Sequence, residues 1–111
     1  MQFGEIRIVA VLGAGTMGSG IAHVFARSGY DVILRDVAQE ILDRAHATIS
    51  ANLDREVKKG KVAAAAKSEI LARIQATTDA ARVAGADFAV EAVPERLELK
   101  RAVLGLSLIH I

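Results

Sequence analysis

Residues 13–18 read Gly13-Ala14-Gly15-Thr16-Met17-Gly18, a G-x-G-x-x-G spacing set between an apolar run and a helix-forming stretch. The motif alone is a weak signal, and its place between a strand and a helix is what gives it weight. Gly13 permits a tight turn, Gly15 lets the backbone approach a pyrophosphate, and Gly18 lets a helix pack closely on a strand. Gly20, further along the helix, is expected to extend that close packing. The helix that opens here points free N–H groups and the positive end of its dipole at bound phosphate.

The surrounding pattern supplies the rest of a nucleotide fold. Residues 6–12 (I-R-I-V-A-V-L) are rich in β-branched side chains and too short for a typical helix, which predicts a buried strand. A helix is expected over residues 16–28, with Ile21, Val24 and Phe25 on its inward face and Gly29 as its stop. A second strand covers residues 31–34, closed by Arg35 and Asp36.

A long helix over residues 38–59 carries Ile41, Leu42, Ala45, Ile49, Leu53 and Val57 on one stripe, and Gly60 ends it. A further helix is expected over residues 64–74, a short strand around Ala76 and a brief helix over 79–84. Residues 88–93 form a fourth strand, which Pro94 breaks. A last helix is expected from Glu95 onward, carrying Leu97, Leu99, Val103 and Leu104. Strands alternating with helices predict a parallel sheet with right-handed crossovers. The expected fold class is therefore α/β, an incomplete Rossmann-type parallel sheet in order 3-2-1-4. Its long helical excursion lies between strands two and three, and its fourth strand is left as an exposed edge.

Asp36 sharpens the functional reading. It lies at the end of the second strand, 23 positions after Gly13, where a carboxylate can accept hydrogen bonds from both adenosine ribose hydroxyls. The same acid would repel a 2′-phosphate, and Val37 follows it rather than a cation, so NAD is expected over NADP. Alternation along the strand should turn Arg35 away from that side. Ser19 stands where a P-loop needs lysine, which argues against ATP or GTP. Flavin and methyl-donor enzymes share glycine loops followed by an acid and stay open at this point.

Composition narrows the class further. Fourteen basic and thirteen acidic residues leave a net charge of +1, which gives no reason to expect nucleic acid as a partner. The chain has no cysteine, so thiolate metal sites and disulfides are excluded, and no metal site is expected. Its longest apolar run is too short to span a bilayer, no signal peptide is visible, and a soluble cytoplasmic protein is expected.

The wording V-L-G-A-G-T-M-G-S-G-I-A, then G-Y-D-V-I-L-R-D, the long helical excursion, and V-E-A-V-P-E-R-L-E-L-K together resemble the start of the 3-hydroxyacyl-CoA and 3-hydroxybutyryl-CoA dehydrogenases. The resemblance implies NAD contacts at Gly13, Ala14, Gly15, Thr16, Met17, Gly18, Asp36, Val93, Pro94, Glu95 and Lys100. It implies CoA contacts at Asn52 and Lys59, the latter in a basic cluster with Arg55, Lys58 and Lys61. It also implies an acyl-CoA substrate, a role in fatty acid β-oxidation, and a homodimer completed by a C-terminal domain.

The family's catalytic residues lie further along: a serine in Asn-Thr-Ser-Ser, a His-Glu pair and an asparagine. None is expected here, and His23, His46 and His110 read as surface or packing histidines. A dinucleotide-binding module without catalysis, or a piece of another NAD-dependent dehydrogenase, are the alternatives. Residues 1–104 are taken as the domain. From Gly105 the sequence G-L-S-L-I-H-I departs from the family pattern and resembles translated adapter read-through on a truncated gene.

Overall fold

The computed structural model describes residues 6–93, together with the backbone of Arg96–Arg101 and Leu108–His110. The elements are β1 (Ile8–Leu12), α1 (Thr16–Arg27), β2 (Asp31–Arg35), α2 (Gln39–Lys58), α3 (Ala66–Ala72), β3 (Ile74–Thr77), a 3₁₀ helix (Ala80–Gly85), β4 (Phe88–Val93), β5 (Arg96–Arg101) and β6 (Leu108–His110). The sheet runs β3-β2-β1-β4-β5-β6. Its first four strands are parallel in the expected order 3-2-1-4.

The last two strands are a correction. Residues 96–101 form no helix. They pair antiparallel with β4, from Val93 opposite Arg96 to Phe88 opposite Arg101, and β6 pairs antiparallel with β5. Leu97 and Leu99 are two apart, the period of a strand, which on a helix would set them on opposite faces. The open edge of β4 offers a row of backbone donors and acceptors, and the nearest chain takes it. Strand four is thus an interior strand rather than an exposed edge.

The core divides across the sheet because strand side chains alternate. Val11, Val32 and Leu34 face the helices, where they meet Ala22, Ala26, Leu42, Ala45, Ile49, Leu53, Val62 and Ile70. On the opposite face Ala10, Ile33 and Ala89 meet Ala86, with Val83 of the 3₁₀ helix packed alongside. The α2 stripe is as expected: Leu42, Ala45, Ile49 and Leu53 are buried, and Ile41 and Val57 half-buried.

Helix α1 differs. Val24 points outward at 57% exposure, while Ala22 and Ala26 are fully buried. The cause lies at the helix start. A β-carbon on Gly18 would sit 1.7 Å from the Gly13 carbonyl oxygen, so α1 approaches its strand too closely for large residues to lie between them. Ile21 and Phe25 pack at the flanks instead.

Candidate nucleotide site and a basic cleft

The three motif glycines have three separate reasons to be glycine. Gly13 adopts φ +104°, and a β-carbon there would lie 2.8 Å from the Ala92 carbonyl oxygen. Gly18 meets the Gly13 backbone, as above. Gly15 has ordinary extended backbone, φ −71° and ψ −164°, and a β-carbon on it would meet nothing within 4 Å. The protein itself places no demand on Gly15. What its missing side chain leaves is open space at the start of α1, the room a pyrophosphate needs.

Gly20 also faces open space, with nothing within 4 Å of its absent β-carbon. It therefore does not extend the close packing expected of it; one turn past Thr16 the helix has already cleared the loop. Gly15 is the N-cap of α1, no side chain caps the helix, and its first turn carries no acid. An uncapped helix start beside a side-chain-free loop suits an anion that itself caps the orphan N–H groups.

Asp36 is built into this loop. Its Oδ2 accepts the Ala14 N–H at 2.9 Å, and its Oδ1 accepts Val37 N–H at 2.7 Å and Ala38 N–H at 3.4 Å. One carboxylate thus joins the glycine loop to the start of α2. Gly13 N–H donates to the Arg35 carbonyl at 2.8 Å and holds the loop against the end of β2. The Arg35 side chain turns the other way, its Nε donating to the Thr78 carbonyl at 3.3 Å. Val37, beside the acid, is 75% exposed and offers an apolar surface there.

Val93 ends β4 on the same side of the sheet as the loop, since β1 and β4 are parallel. Pro94 and Glu95 lie outside the described residues. Lys100 lies on β5 opposite Ala89. The strand runs back along β4 and so carries Lys100 four pairs away from Val93. The helix expected to hold it beside Glu95 does not form.

Asn52 and Lys59 come together in an open cleft of about 380 Å³ between α1 and α2, with Gly20, His23, Val24, Arg27, Arg55, Glu56 and Lys61. Asn52 Oδ1 accepts from Arg55. Lys58 is not among the residues of this cleft. The cleft begins at Gly20, roughly 7 Å down the α1 axis from Gly15 at about 1.5 Å per residue.

Sequence reasoning missed the acid of this cleft and its partners. His23 is buried and does have a carboxylate partner: its Nε2 lies 2.5 Å from Glu56 Oε1, and Arg27 bonds the other oxygen. Burial pushes the Glu56 carboxyl up, but the hydrogen bond and charge of His23, together with Arg27, outweigh it and hold the group below its ordinary value. A signal existed in the sequence. Glu56 stands three residues after Leu53 and seven after Ile49, on the inward stripe of α2, where an unpaired charge would be costly. No group of three or more potential metal ligands occurs among the described residues.

A parallel sheet in order 3-2-1-4, a glycine loop at an uncapped helix start and an acid after the second strand define a dinucleotide-binding domain of the dehydrogenase type. More narrowly, the chain belongs to the family described as 3-hydroxyacyl-CoA dehydrogenase, NAD binding domain, whose model matches residues 8–106. It is 44% identical over 99 residues to 3-hydroxyadipyl-CoA dehydrogenase of Escherichia coli K12, covering 89% of this chain and 21% of that protein. It is also 44% identical over 98 residues to 3-hydroxybutyryl-CoA dehydrogenase of Bradyrhizobium diazoefficiens, covering 88% and 33%. Among solved structures, (S)-3-hydroxybutyryl-CoA dehydrogenase of Ralstonia eutropha superposes with a TM-score of 0.79 at 38% identity, over 82% of this chain and 32% of that one. The chain thus spans a fifth to a third of the length of these relatives, and its cofactor is NAD.

Proposed function

We propose that this chain is the cofactor-binding part of an enzyme that interconverts (S)-3-hydroxyacyl-CoA and 3-oxoacyl-CoA, with 3-hydroxybutyryl-CoA among its substrates. The observation that carries this reading is the family match over residues 8–106, to which the open position at Gly15 beside Asp36 adds a physical site. In this reading Gly13 to Gly18 cradle the pyrophosphate and Asp36 meets the adenosine ribose. Val93, Pro94 and Glu95 border the nicotinamide at the carboxyl end of β4, where open α/β sheets bind ligands. Lys100 joins them only if β5 gives way to another arrangement when the cofactor is bound. When bound, NAD supplies the acceptor for the hydride that leaves C3 of the acyl chain.

Asn52 and Lys59 would hold the phosphates of CoA in the α1–α2 cleft, and the extended pantetheine arm would carry the acyl group towards the nicotinamide. The proposal includes a C-terminal domain supplying the proton acceptor and the dimer contact. It includes a place in fatty acid β-oxidation, a cytoplasmic setting, and residues 105–111 as a tail outside the domain of residues 1–104. No helix among the described residues is long and apolar enough to cross a membrane. The test is to extend the gene sequence beyond residue 104 and assay its full product with acetoacetyl-CoA and NADH. The reading expects an Asn-Thr-Ser-Ser segment, a downstream histidine and oxidation of NADH. A product that contains both and leaves NADH unchanged refutes it.

A further inference from the structure

Four cations and one acid meet in the α1–α2 cleft: Arg27, Arg55, Lys59 and Lys61 against Glu56. The acid does not sit among them symmetrically. Its two oxygens are both spent on α1, one on His23 and one on Arg27. Its side chain is 17% exposed and that of His23 9%, while Arg27 keeps 45%. To donate to a carboxylate, the imidazole must carry its proton on Nε2. His23 Nδ1 is then left buried without a hydrogen-bond partner, so the ring is held for this one contact.

We propose that Glu56 is a built-in counter-ion that sets the anion selectivity of the cleft: it occupies Arg27 and His23 and leaves Arg55, Lys59 and Lys61 as the rim that meets phosphate. This rests on the reading that the cleft receives the phosphates of CoA. A negative charge inside a phosphate site weakens binding. It also confines the incoming groups to one wall, so that a ligand with its phosphates arranged otherwise is turned away. Specificity obtained by placing a repulsive element is a general device. Because the Glu56 carboxyl is held below its ordinary value, it stays ionised at neutral pH.

The competing view makes Glu56 a clamp between two helices and nothing more, and the two views differ in sign. If the residue is only a clamp, Glu56→Gln loosens the cleft and leaves anion binding unchanged or weaker. If it is a counter-ion, the substitution removes the repulsion, frees Arg27 and strengthens binding. Coulomb interaction over a few ångströms in a partly solvated cleft gives a gain of about three- to tenfold at low ionic strength, shrinking as salt is raised.

The experiment is calorimetric titration of inorganic pyrophosphate into the chain, with NAD saturating so that the glycine loop is filled. Glu56→Gln is expected to bind pyrophosphate more tightly than wild type by that factor, and Glu56→Gln/Lys59→Gln to lose the gain. Glu56→Met fills the same space with an end that needs no partner, and carries the same expectation should the glutamine form not fold. Pyrophosphate binding no tighter than wild type in a folded variant overturns the proposal. The CoA reading fails separately: Lys59→Gln with undiminished affinity for CoA would remove CoA from the cleft and leave the pyrophosphate comparison standing.

Discussion

Gly18→Ala adds one carbon at the point where α1 lies closest to the loop before it. That carbon would be 1.7 Å from the Gly13 carbonyl oxygen and 2.8 Å from its carbonyl carbon. Neither atom belongs to a flexible side chain. Gly13 is itself fixed by its positive φ, by its N–H bond to the Arg35 carbonyl and by the Ala92 carbonyl beside it. Relief therefore requires α1 to lift by more than an ångström, which breaks the contact of Ala22 and Ala26 with the sheet. Overpacking of this kind costs about 1–3 kcal/mol and occasionally more; a backbone obstacle places the cost at about 3 kcal/mol. Alanine returns about 1 kcal/mol of helix propensity, leaving a net loss of about 2 kcal/mol. For a domain near this size that lowers the melting temperature by about 8–16 °C. Gly20→Ala is the internal control: it receives the same propensity gain with nothing within 4 Å, and should melt at or slightly above wild type. Thermal melts followed by far-UV circular dichroism compare the three proteins. If Gly18→Ala melts within about two degrees of Gly20→Ala, the close approach does not limit this helix and the account of the loop is wrong.

Four further outcomes are expected. Gly15→Val should fold with little loss of stability yet lose NAD binding in calorimetry, because a β-carbon there meets nothing of the protein within 4 Å; normal binding would remove the loop as the phosphate site. NAD should bind more tightly than NADP, since the Asp36 carboxylate beside the loop repels a 2′-phosphate; the reverse order would end its assignment to the ribose. Acid should destabilise the fold, because the carboxyls of Glu56 and Asp87 are both held below their ordinary values of 4.5 and 3.8, the latter chiefly by the backbone N–H groups of Arg7 and Ile8. Depressed acids contribute stability that is complete above the unfolded-state pKa and is lost as pH falls through the folded one, so the melting temperature should decline below about pH 4.5 and decline less in Asp87→Asn. Finally, the 111-residue chain should show no turnover of 3-hydroxybutyryl-CoA in a nicotinamide absorbance assay, since the proposed function puts the proton acceptor, worth about 10²–10⁴-fold, outside these residues; measurable turnover would mean that the catalytic residues are misplaced.

What the sequence made legible is what depends on local spacing. Gly13, Gly15 and Gly18 work through backbone geometry at fixed intervals, and Asp36 follows from the length of one β-α-β unit, so each could be read in place. The α2 stripe was legible because five turns repeat one period. Residues 96–101 were not, because two leucines at the strand period are too short a run to decide and the choice belongs to β4, whose open edge is a tertiary fact. The inward face of α1 was misjudged at Val24 for a related reason: how near a helix lies to its sheet depends on one glycine contact, and small residues then displace large ones from the interface. The Glu56 cluster joins residues 33 and 29 positions apart. Only the misplaced charge on the α2 stripe announced it.

The bonding of Asp36 bears on how a protein of this kind could change its nucleotide. Acceptance of a 2′-phosphate asks for the acid to go and a cation to arrive nearby. Here the acid also holds the Ala14 N–H and the first amides of the α2 approach, so its removal would leave three donors to find new acceptors in the loop proposed to hold the pyrophosphate. Retuning by a single substitution would therefore weaken both nucleotides together before it favoured either. An asparagine at position 36 keeps one carbonyl oxygen for the loop while shedding the charge. A viable route to the phosphorylated cofactor passes through that intermediate, with the positive charge added afterwards at position 37, where the Val37 side chain already stands in solvent.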